Sequence, residues 1–345
     1  MKIESAFDKP ALLAKIRQIY GFPVTSLAFV PEGFVGCHYV AGCEDGKHYF
    51  VTLLNESRAA RLSLAHLDFT LELTRRLVEQ KLFRQLPAPL PTLAGDLKAE
   101  FQGQALVLYD YIPGHTLMEC YPYPPEILAR LGRLTAQLHS LTPQVGMEIP
   151  FVEQFCLPFE HDLLEGMSGL EKVTPQDRSG PRILQDLLWP RREMIAGFLA
   201  RLHDLAARAK GLHPSMVLCH TDITPFNIIQ TPEDELFIVD WEGAMLAPAE
   251  ADVFLFTGEG FPIFLAEYYR ESGKPRLDAQ LFAFYMFRRS LVDLTDWIVT
   301  ILHENTSDEQ DQNDLKGLLE DCISTWPHFD TAIELVREQL KAVTA

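Results

Sequence analysis

The sequence predicts an α+β fold in two lobes, a small lobe built on an antiparallel sheet and a mainly helical lobe after it. A chain of 345 residues is longer than one hydrophobic core comfortably holds. Short runs rich in β-branched and aromatic residues dominate between residues 24 and 112, and helical periodicity dominates beyond Pro113 and Gly114. We therefore expect an N-terminal lobe of residues 1–112 and a C-terminal lobe of residues 113–345.

The small lobe should begin with a helix, because Asp8 and Pro10 suit its cap and first turn. The runs SLAFV, HYVA and HYFVTLL predict three antiparallel strands, with Asp45 and Gly46 in the tight turn between the last two. A helical segment over residues 59–86 follows. The runs KAEFQ and ALVLYDYI then complete a sheet of five strands.

The second lobe should be mostly helical. In EILARLGRLTAQLHSL the apolar residues recur at helical spacing, which indicates a core helix. Further helices are expected over residues 191–209, 262–270, 277–303 and 330–343. The polar run HENTSDEQDQND, residues 303–314, is expected to be a solvated loop.

The chain is acidic, with 48 Asp and Glu against 30 Lys and Arg. So negative a surface repels nucleic acids and anionic membranes, and it either favours cationic ligands or serves solubility alone. The six cysteines form no CxxC pair, the N-terminus lacks a signal-peptide core, and every apolar stretch is broken by charge. These features predict a cytoplasmic protein with reduced thiols.

The stretch VLCHTDITPFNIIQTPEDELFIVDWEG, residues 217–243, sets four polar side chains among apolar ones: His220, Asp222, Asn227 and Asp240. The pattern predicts a strand, a turn and a hairpin that bring Asp222, Asn227 and Asp240 to one rim. An amide oxygen and a carboxylate suit Mg²⁺, and a separate carboxylate can take a proton from a hydroxyl. This combination of metal ligands and a base is typical of phosphoryl transfer. His220 and Asp222 alone would also suit a metal-dependent hydrolase or an ordinary turn.

The pattern His-Thr-Asp-x4-Asn followed by Val-Asp-Trp-Glu resembles the aminoglycoside phosphotransferase and choline kinase-like branch of the protein-kinase fold. The block VDWEGAMLAPAEAD is most similar to that of spectinomycin phosphotransferases. The resemblance is strong over residues 217–258. It implies that Asp222 is the general base, that Asn227 and Asp240 bind Mg²⁺, and that His220 braces the loop by hydrogen bonding.

The resemblance also assigns roles to two later residues. It implies that Asp252 is a buried brace for the backbone N–H groups of the catalytic loop, although a surface helix cap is the alternative from sequence alone. Glu242 directly follows the motif Asp-Trp, so a contact with the metal or with a substrate ammonium is expected.

The resemblance implies that the small lobe binds the nucleotide. The loop PEGFVG contains Gly33 and Gly36, which would let the backbone approach phosphates, although hairpin loops also use glycine. Residues 109–112, with Tyr111 among them, would form the inter-lobe hinge that meets the adenine ring.

The small lobe departs from the pattern at one position. A lysine on the third strand should hold the α- and β-phosphates, yet YFVTL puts Thr52 there. The strand register could differ from the expected one, or Lys47, Arg58 or Arg61 could reach the phosphates instead. Otherwise the protein is a weak kinase, uses another donor, or only binds a ligand. Glu72 would be the partner of the missing lysine, which leaves its role open.

The sequence thus predicts a Mg²⁺-dependent phosphotransferase that moves the γ-phosphoryl group of ATP or GTP to a hydroxyl of a small, polar, cationic acceptor. An aminoglycoside or aminocyclitol fits both the resemblance and the charge, and choline-like, homoserine-like and sugar-like acceptors are alternatives. A catalytically impaired kinase-fold protein that binds a nucleotide or metabolite is the rival hypothesis, and Thr52 favours it.

Overall fold

The structure is a computed structural model that describes residues 8–31, 36–55, 61–273 and 276–344. Its helices are α1 (Lys9–Tyr20), α2 (Arg61–Glu79), α3 (Pro125–Ser140), α4 (Glu160–Glu171), α5 (Ser179–Leu188), α6 (Arg192–Leu212), α7 (Glu250–Val253), α8 (Phe261–Ser272), α9 (Ala279–Val299), α10 (Asp308–Gly317) and α11 (Phe329–Thr344). Its strands are β1 (Val24–Val30), β2 (Cys37–Cys43), β3 (His48–Leu54), β4 (Ala99–Phe101), β5 (Gln104–Asp110), β6 (His115–Thr116), β7 (Met216–Cys219), β8 (Ile228–Gln230), β9 (Leu236–Ile238) and β10 (Met245–Pro248). This confirms the predicted α+β class.

Helix α1 begins and ends as its sequence predicts. The carboxylate of Asp8 accepts a hydrogen bond from the backbone N–H of Ala11 at 3.0 Å, and Pro10 lies in the first turn. Gly21 ends the helix in the left-handed conformation, at φ 76°. Leu12 and Ile16 are buried and direct one face of α1 into the core of the sheet.

The predicted five strands form one antiparallel sheet in the order β1-β2-β3-β5-β4. Its two faces are covered by different helices. One face packs with α1 in a cluster that includes Tyr39, Val51 and Leu108. The other face carries Leu54 and Val107, which cluster with apolar residues of α2. Because side chains alternate along a strand, Thr52 lies on the same face as Leu54.

The chain divides into two compact units. The first contains residues up to Ile127 together with Arg133–Phe151 and Val217–Leu246, and the second contains Leu128–Gly132, Val152–Met216 and the residues from Ala247 onward. The first unit therefore holds the five-stranded sheet, α2 and the polar stretch that the sequence singled out. The lobe boundary between residues 112 and 113 stays a prediction.

The second unit is built from helices packed around α9. Helices α4, α6 and α11 contact it, and Phe198 of α6 lies edge-on to Phe287 of α9, with ring centroids 5.4 Å apart. A salt bridge of 2.7 Å joins Arg288 to the buried Glu153 in the same unit. Among the described residues, no helix is both long enough and apolar enough to cross a bilayer.

The expectation of a loop over residues 303–314 is wrong. Helix α10 occupies most of this run, beginning after a capping box in which the Ser307 hydroxyl accepts from the Gln310 N–H and the Gln310 side chain accepts from the Ser307 N–H. One face of the helix is buried through Asp311, whose carboxylate lies 2.9 Å from Arg178. The Ser-x-x-Gln spacing was the available signal, and the overall polarity of the run concealed it.

Candidate active site

The polar stretch folds as a strand, a turn and a hairpin, close to the prediction. Strand β7 ends at Cys219, and the only helical structure before β8 is one 3₁₀ turn, Pro225–Asn227. Thr224 is held in an extended conformation by the proline after it, so no longer helix starts here. Strands β8 and β9 then pair antiparallel, which returns the chain to the same rim.

Asp222 and Asn227 meet at this rim. The amide nitrogen of Asn227 donates to the carboxylate of Asp222 at 2.7 Å and to its backbone carbonyl at 3.0 Å. Both bonds use the nitrogen end of the amide, so the amide oxygen is turned away from Asp222. The asparagine therefore holds the aspartate in place with one end and presents an oxygen with the other.

His220 is completely buried and bonded through both ring nitrogens. Its Nδ1 accepts from the N–H of Asp222 at 3.3 Å, so Nε2 carries the proton and donates to the carbonyl of Val239 at 3.0 Å. The ring also lies edge-on to Trp241, with centroids 5.0 Å apart. These contacts tie the turn that carries Asp222 to the segment that carries Asp240, and a bracing role of His220 in catalysis stays a prediction.

Asp240 starts a short turn after β9. It has the left-handed conformation, φ 65° and ψ 64°, and its residue is exposed. Such a conformation is costly for a residue other than glycine and is frequent at functional sites. The N–H of Val239 donates to the carbonyl of Asn227 at 2.9 Å, which places the two predicted metal ligands on adjoining backbone segments.

A second link joins the same two segments. The hydroxyl of Thr221 donates to the carbonyl of Gly243 at 3.1 Å. A Cβ atom on Gly243 would lie only 2.4 Å from this hydroxyl oxygen, so the close approach requires glycine. Together with the bonds of His220, this contact fixes the turn after Asp240 against the catalytic turn.

The donor set at this rim fits a magnesium ion. Mg²⁺ prefers hard oxygen ligands and is usually bound by one or two carboxylates or carbonyls together with water and substrate phosphates. The amide oxygen of Asn227 and the exposed carboxylate of Asp240 are ligands of this kind.

Glu242 faces helix α2. Its carboxylate accepts a hydrogen bond from the hydroxyl of Ser63, and its backbone carbonyl lies 3.1 Å from Nδ1 of His66. The His66 ring stacks on Phe151 at a centroid distance of 3.5 Å. Burial lowers the pKa of His66, opposed in part by the bond to the Glu242 carbonyl, so the neutral imidazole is favoured.

Sequence reasoning missed Ser63 and His66. They are buried polar residues one helical turn apart, on the α2 face that meets the turn Trp241–Gly243. Two polar residues at i and i+3 among the apolar positions of an amphipathic helix were the available signal. The predicted role of Glu242 at a metal or an ammonium stays a prediction.

Tyr109 of β5 also reaches this region. Burial raises the pKa of its hydroxyl, and the carboxylates of Glu242 and Asp240 raise it further. The tyrosine therefore remains protonated next to two acidic groups. Tyr111, the predicted hinge residue, lies just after β5 and is exposed, with its ring 5.9 Å from that of His48.

Thr52 lies on the third strand of the sheet, and its assignment to the lysine position stays a prediction. Thr52 lies in β3 opposite His38 of β2 and Val107 of β5, and it is buried. Its hydroxyl lies 3.2 Å from Nδ1 of His38. Lys47 precedes the strand in an exposed turn, 3.9 Å from Asp45. Arg58 lies outside the described residues.

Gly33, Gly36 and Arg61 were also predicted as candidates for contact with the donor phosphates. Gly36 has a φ of 68°, and a Cβ atom there would lie 2.5 Å from the carbonyl oxygen of Leu53, so backbone geometry alone requires this glycine. Gly33 lies outside the described residues, and of Arg61 only the backbone is described.

Glu72 has a partner on its own helix. Its carboxylate forms a salt bridge of 2.7 Å with Arg75, on the half-exposed side of α2. Ser63 and His66 lie on a different, buried face. In place of an ion pair between Glu72 and β3, the structure shows α2 bonded to the turn after Asp240.

Asp252 belongs to the second unit, where it is completely buried in the short helix α7. Burial of a carboxylate is costly unless it is bonded, which argues against an exposed helix cap. Its bracing role stays a prediction.

Comparison with known proteins places this geometry in context. Residues 38–293, well over half of the chain, match the sequence model of a family described as the phosphotransferase enzyme family. Protein StrN of Streptomyces griseus is 27% identical over 238 residues, which cover 65% of this chain and 67% of that protein.

Solved structures share the fold at low sequence identity. The spectinomycin phosphotransferase APH(9)-Ia, in complex with ADP and spectinomycin, superposes with a TM-score of 0.76 at 18% identity, covering 96% of this chain and 100% of that one. The choline kinase LicA of Streptococcus pneumoniae superposes with a TM-score of 0.51 at 17% identity, covering 90% and 98%. The predicted kinase-like fold is thereby confirmed.

Proposed function

The chain belongs to the phosphotransferase enzyme family, and from this premise we propose that it transfers the γ-phosphoryl group of a nucleoside triphosphate to a hydroxyl of a small, polar, cationic molecule. The observation that carries the proposal is the set of bonds around Asp222. Asn227 holds the carboxylate of Asp222 at 2.7 Å, and His220 binds both the Asp222 N–H and the segment that leads to Asp240.

Asp222 acts as the general base in this proposal. Its carboxylate takes the proton of the acceptor hydroxyl as the hydroxyl oxygen forms a bond to the γ-phosphorus. The bond from the γ-phosphorus to the oxygen that bridges the β- and γ-phosphoryl groups breaks. The products are the phosphorylated acceptor and the nucleoside diphosphate. Because Asn227 fixes the carboxylate, little reorientation is needed at the moment of transfer.

Asn227 and Asp240 would hold Mg²⁺ through the amide oxygen and the carboxylate. A bound magnesium ion supplies neutralisation of the charge on the transferring phosphates. ATP and GTP are both candidate donors. The solved structures in complex with ADP and with AMP support the use of a nucleotide, since they are of a protein with the same fold.

An aminoglycoside or aminocyclitol is the acceptor class that the comparisons favour. The structure with the TM-score of 0.76 is of an enzyme in complex with spectinomycin. Choline kinase and an amicoumacin kinase share the fold at lower scores, so choline-like and other cationic acceptors are alternatives. A net charge of −18 is compatible with any of these cations.

The second candidate function is nucleotide or metabolite binding without transfer. Thr52 favours it, since a buried hydroxyl bonded to His38 stands where a lysine would hold the phosphates. Asp222, Asn227 and Asp240 favour transfer, because a protein that only binds a nucleotide needs no base for an acceptor.

The two candidates are separated by phosphoryl transfer from ATP or GTP with Mg²⁺, using spectinomycin, choline and homoserine as acceptors. The enzyme hypothesis predicts turnover by the wild-type protein and a loss of about 100- to 10,000-fold in kcat for Asp222→Ala. Nucleotide binding, followed by thermal shift, should be nearly unchanged in this variant.

Glu233→Ala is the matched control, because it removes an exposed carboxylate from the turn of the same hairpin. It should keep the wild-type kcat. Nucleotide binding by the wild-type protein without hydrolysis or transfer, equal in the Asp222→Ala variant, would contradict the enzyme hypothesis and support the second candidate.

A further inference from the structure

Phe226 is unusual among the residues of the catalytic turn. It lies in the 3₁₀ turn directly before Asn227 and is 62% exposed, whereas the neighbouring Ile223 and Ile228 are buried. Leaving a phenylalanine ring in water forgoes the favourable free energy of burying it. The ring is therefore available to a ligand, and Phe226 follows Asp222 closely in the chain.

A second exposed segment lies beside this turn. Strand β6 pairs with β8 so that Thr116 is opposite Ile229. This register brings the chain that follows Thr116 alongside the chain that precedes Ile229. The 3₁₀ helix Leu117–Cys120 accordingly packs against the 3₁₀ turn Pro225–Asn227. Both short helices belong to the first unit.

Each of the two adjoining segments exposes large side chains. Leu117 is fully buried and anchors its helix, but Met118 is 37% exposed and Tyr121 is 59% exposed. Phe226 lies on the neighbouring 3₁₀ turn, in the same loop as the predicted base. Clusters of exposed aromatic and methionine side chains on a protein surface mark binding sites more often than single ones do.

The charged side chains within these two segments are acidic. Residues 113–126 and 217–229 contain no lysine or arginine. They contain Glu119, Glu126 and Asp222, and Glu119 lies exposed between Met118 and Tyr121 in the chain. A carboxylate beside aromatic faces suits a cation that also has an apolar surface, because ring faces attract cations. An anionic ligand would be repelled.

We infer that Met118, Glu119, Tyr121 and Phe226 form an acceptor platform, which binds a cationic acceptor while its hydroxyl lies at Asp222. The inference rests on the proposed function and names the surface that selects the substrate. The C–H face of a ring or a quaternary ammonium group lies on Phe226 and Tyr121, and a positive nitrogen is held by Glu119. Transfer itself follows the step already described for Asp222.

The test compares Phe226→Ala and Glu119→Gln with two controls at exposed positions outside the platform, Leu93→Ala and Glu44→Gln. Leu93 is 73% exposed, so its variant removes as much exposed apolar surface. Initial rates are measured with ATP and Mg²⁺ against spectinomycin, choline and the uncharged polyol myo-inositol.

Phe226→Ala and Glu119→Gln should each raise KM for the cationic acceptors about tenfold, the loss expected for one cation–π or charge contact. The KM for ATP and the kcat at saturating acceptor should stay within about twofold of wild type. Both control variants should match wild type.

The inference is overturned if both platform variants keep the acceptor KM of the controls, if only myo-inositol is phosphorylated, or if neither cation is phosphorylated while ATP is hydrolysed. Absence of any nucleotide turnover by the wild-type protein would instead contradict the proposed function, and the platform would lose its basis with it.

Discussion

Two parts of the first unit differ in how their polar groups are arranged. In the catalytic segment, residues 217–246, the side chains of His220, Asp222 and Asn227 are bonded to one another or to the backbone beside Asp240. On the sheet face that carries Thr52, a buried hydroxyl lies within hydrogen-bonding distance of His38. The bonds around Asp222 thus form without a lysine at position 52.

Helix α2 is bonded to a different part of the first unit. A Lys–Glu ion pair would connect the helix to the sheet, whereas Ser63 and His66 connect it to Glu242, in the turn after Asp240. These two bonds attach α2 to the turn after Asp240, in addition to its apolar packing on the sheet. Four changes test this contrast, from the largest expected effect to the smallest.

His220→Ala should be the most damaging change. It removes a completely buried ring and leaves the Val239 carbonyl and the Asp222 N–H without their partner. At about 1–3 kcal/mol for each of the two unsatisfied buried groups, we expect a loss of about 2–6 kcal/mol in the free energy of unfolding. Denaturant unfolding measures it, and kcat should fall as well.

His203→Ala is the control for this change. Its ring is half exposed and 2.9 Å from Glu160, a surface pair that contributes less than about 1 kcal/mol. An equal, small loss in both variants would show that the bonds of His220 do not hold the catalytic segment together.

Gly243→Ala should come next. The added methyl group would lie 2.4 Å from the Thr221 hydroxyl, and such overpacking costs about 1–3 kcal/mol. The displaced turn should also lower the affinity for Mg²⁺, so that a higher magnesium concentration is needed for half-maximal activity.

Two further variants make this prediction specific. Thr221→Ala combined with Gly243→Ala removes the colliding oxygen and should recover part of the lost stability. Gly197→Ala, in α6 with nothing close to its Cβ position, should stabilise the protein by about 0.5–1 kcal/mol. A double variant no more stable than Gly243→Ala alone would contradict the steric cause.

Thr52→Lys tests the sheet face directly. If the donor phosphates lie over this face, the new ammonium group should lower the Kd for ATP about tenfold, which corresponds to about 1.4 kcal/mol. Isothermal titration measures it. Thr25→Lys adds the same charge on the exposed β1 and should leave the Kd unchanged. Equal Kd values for both variants would mean that the phosphates bind elsewhere.

The smallest effect should come from the pH dependence of His66. Burial lowers its pKa from the ordinary value of 6.5, so the folded protein binds this proton less readily than the unfolded chain does. The contribution of His66 to the free energy of unfolding is complete above pH 6.5. It declines as the pH falls from 6.5 toward the lowered pKa. Stability curves between pH 8 and pH 5 should therefore be flatter for His66→Asn than for wild type. A steeper curve for the variant would exclude this cause.

The sequence carried most of the fold because its signals are local. The Asp8 cap, the Asp45–Gly46 turn and the alternation of β1 to β3 all act within a few residues, and the structure follows each of them. For residues 303–314 the same reasoning gave a wrong prediction. Asp311 is buried against Arg178, and this tertiary contact cannot be inferred from the polar composition of the run.

In the candidate site, too, contacts between residues close in the chain were predictable and contacts between distant residues were not. The spacing of Asp222 and Asn227 indicated their meeting, because both lie in one short turn. The contacts of Glu242 with Ser63 and His66 join residues more than 170 positions apart, and no local pattern encodes such a contact.

The attachment of α2 to Glu242 has a thermodynamic consequence. Any ligand that orders the turn after Asp240 also favours the docked position of the helix, and by reciprocity a docked helix raises the affinity of that turn for the ligand by the same factor. If the proposed Mg²⁺ site lies at this turn, the hydrogen bonds of Ser63 and His66 would couple magnesium affinity to the position of α2.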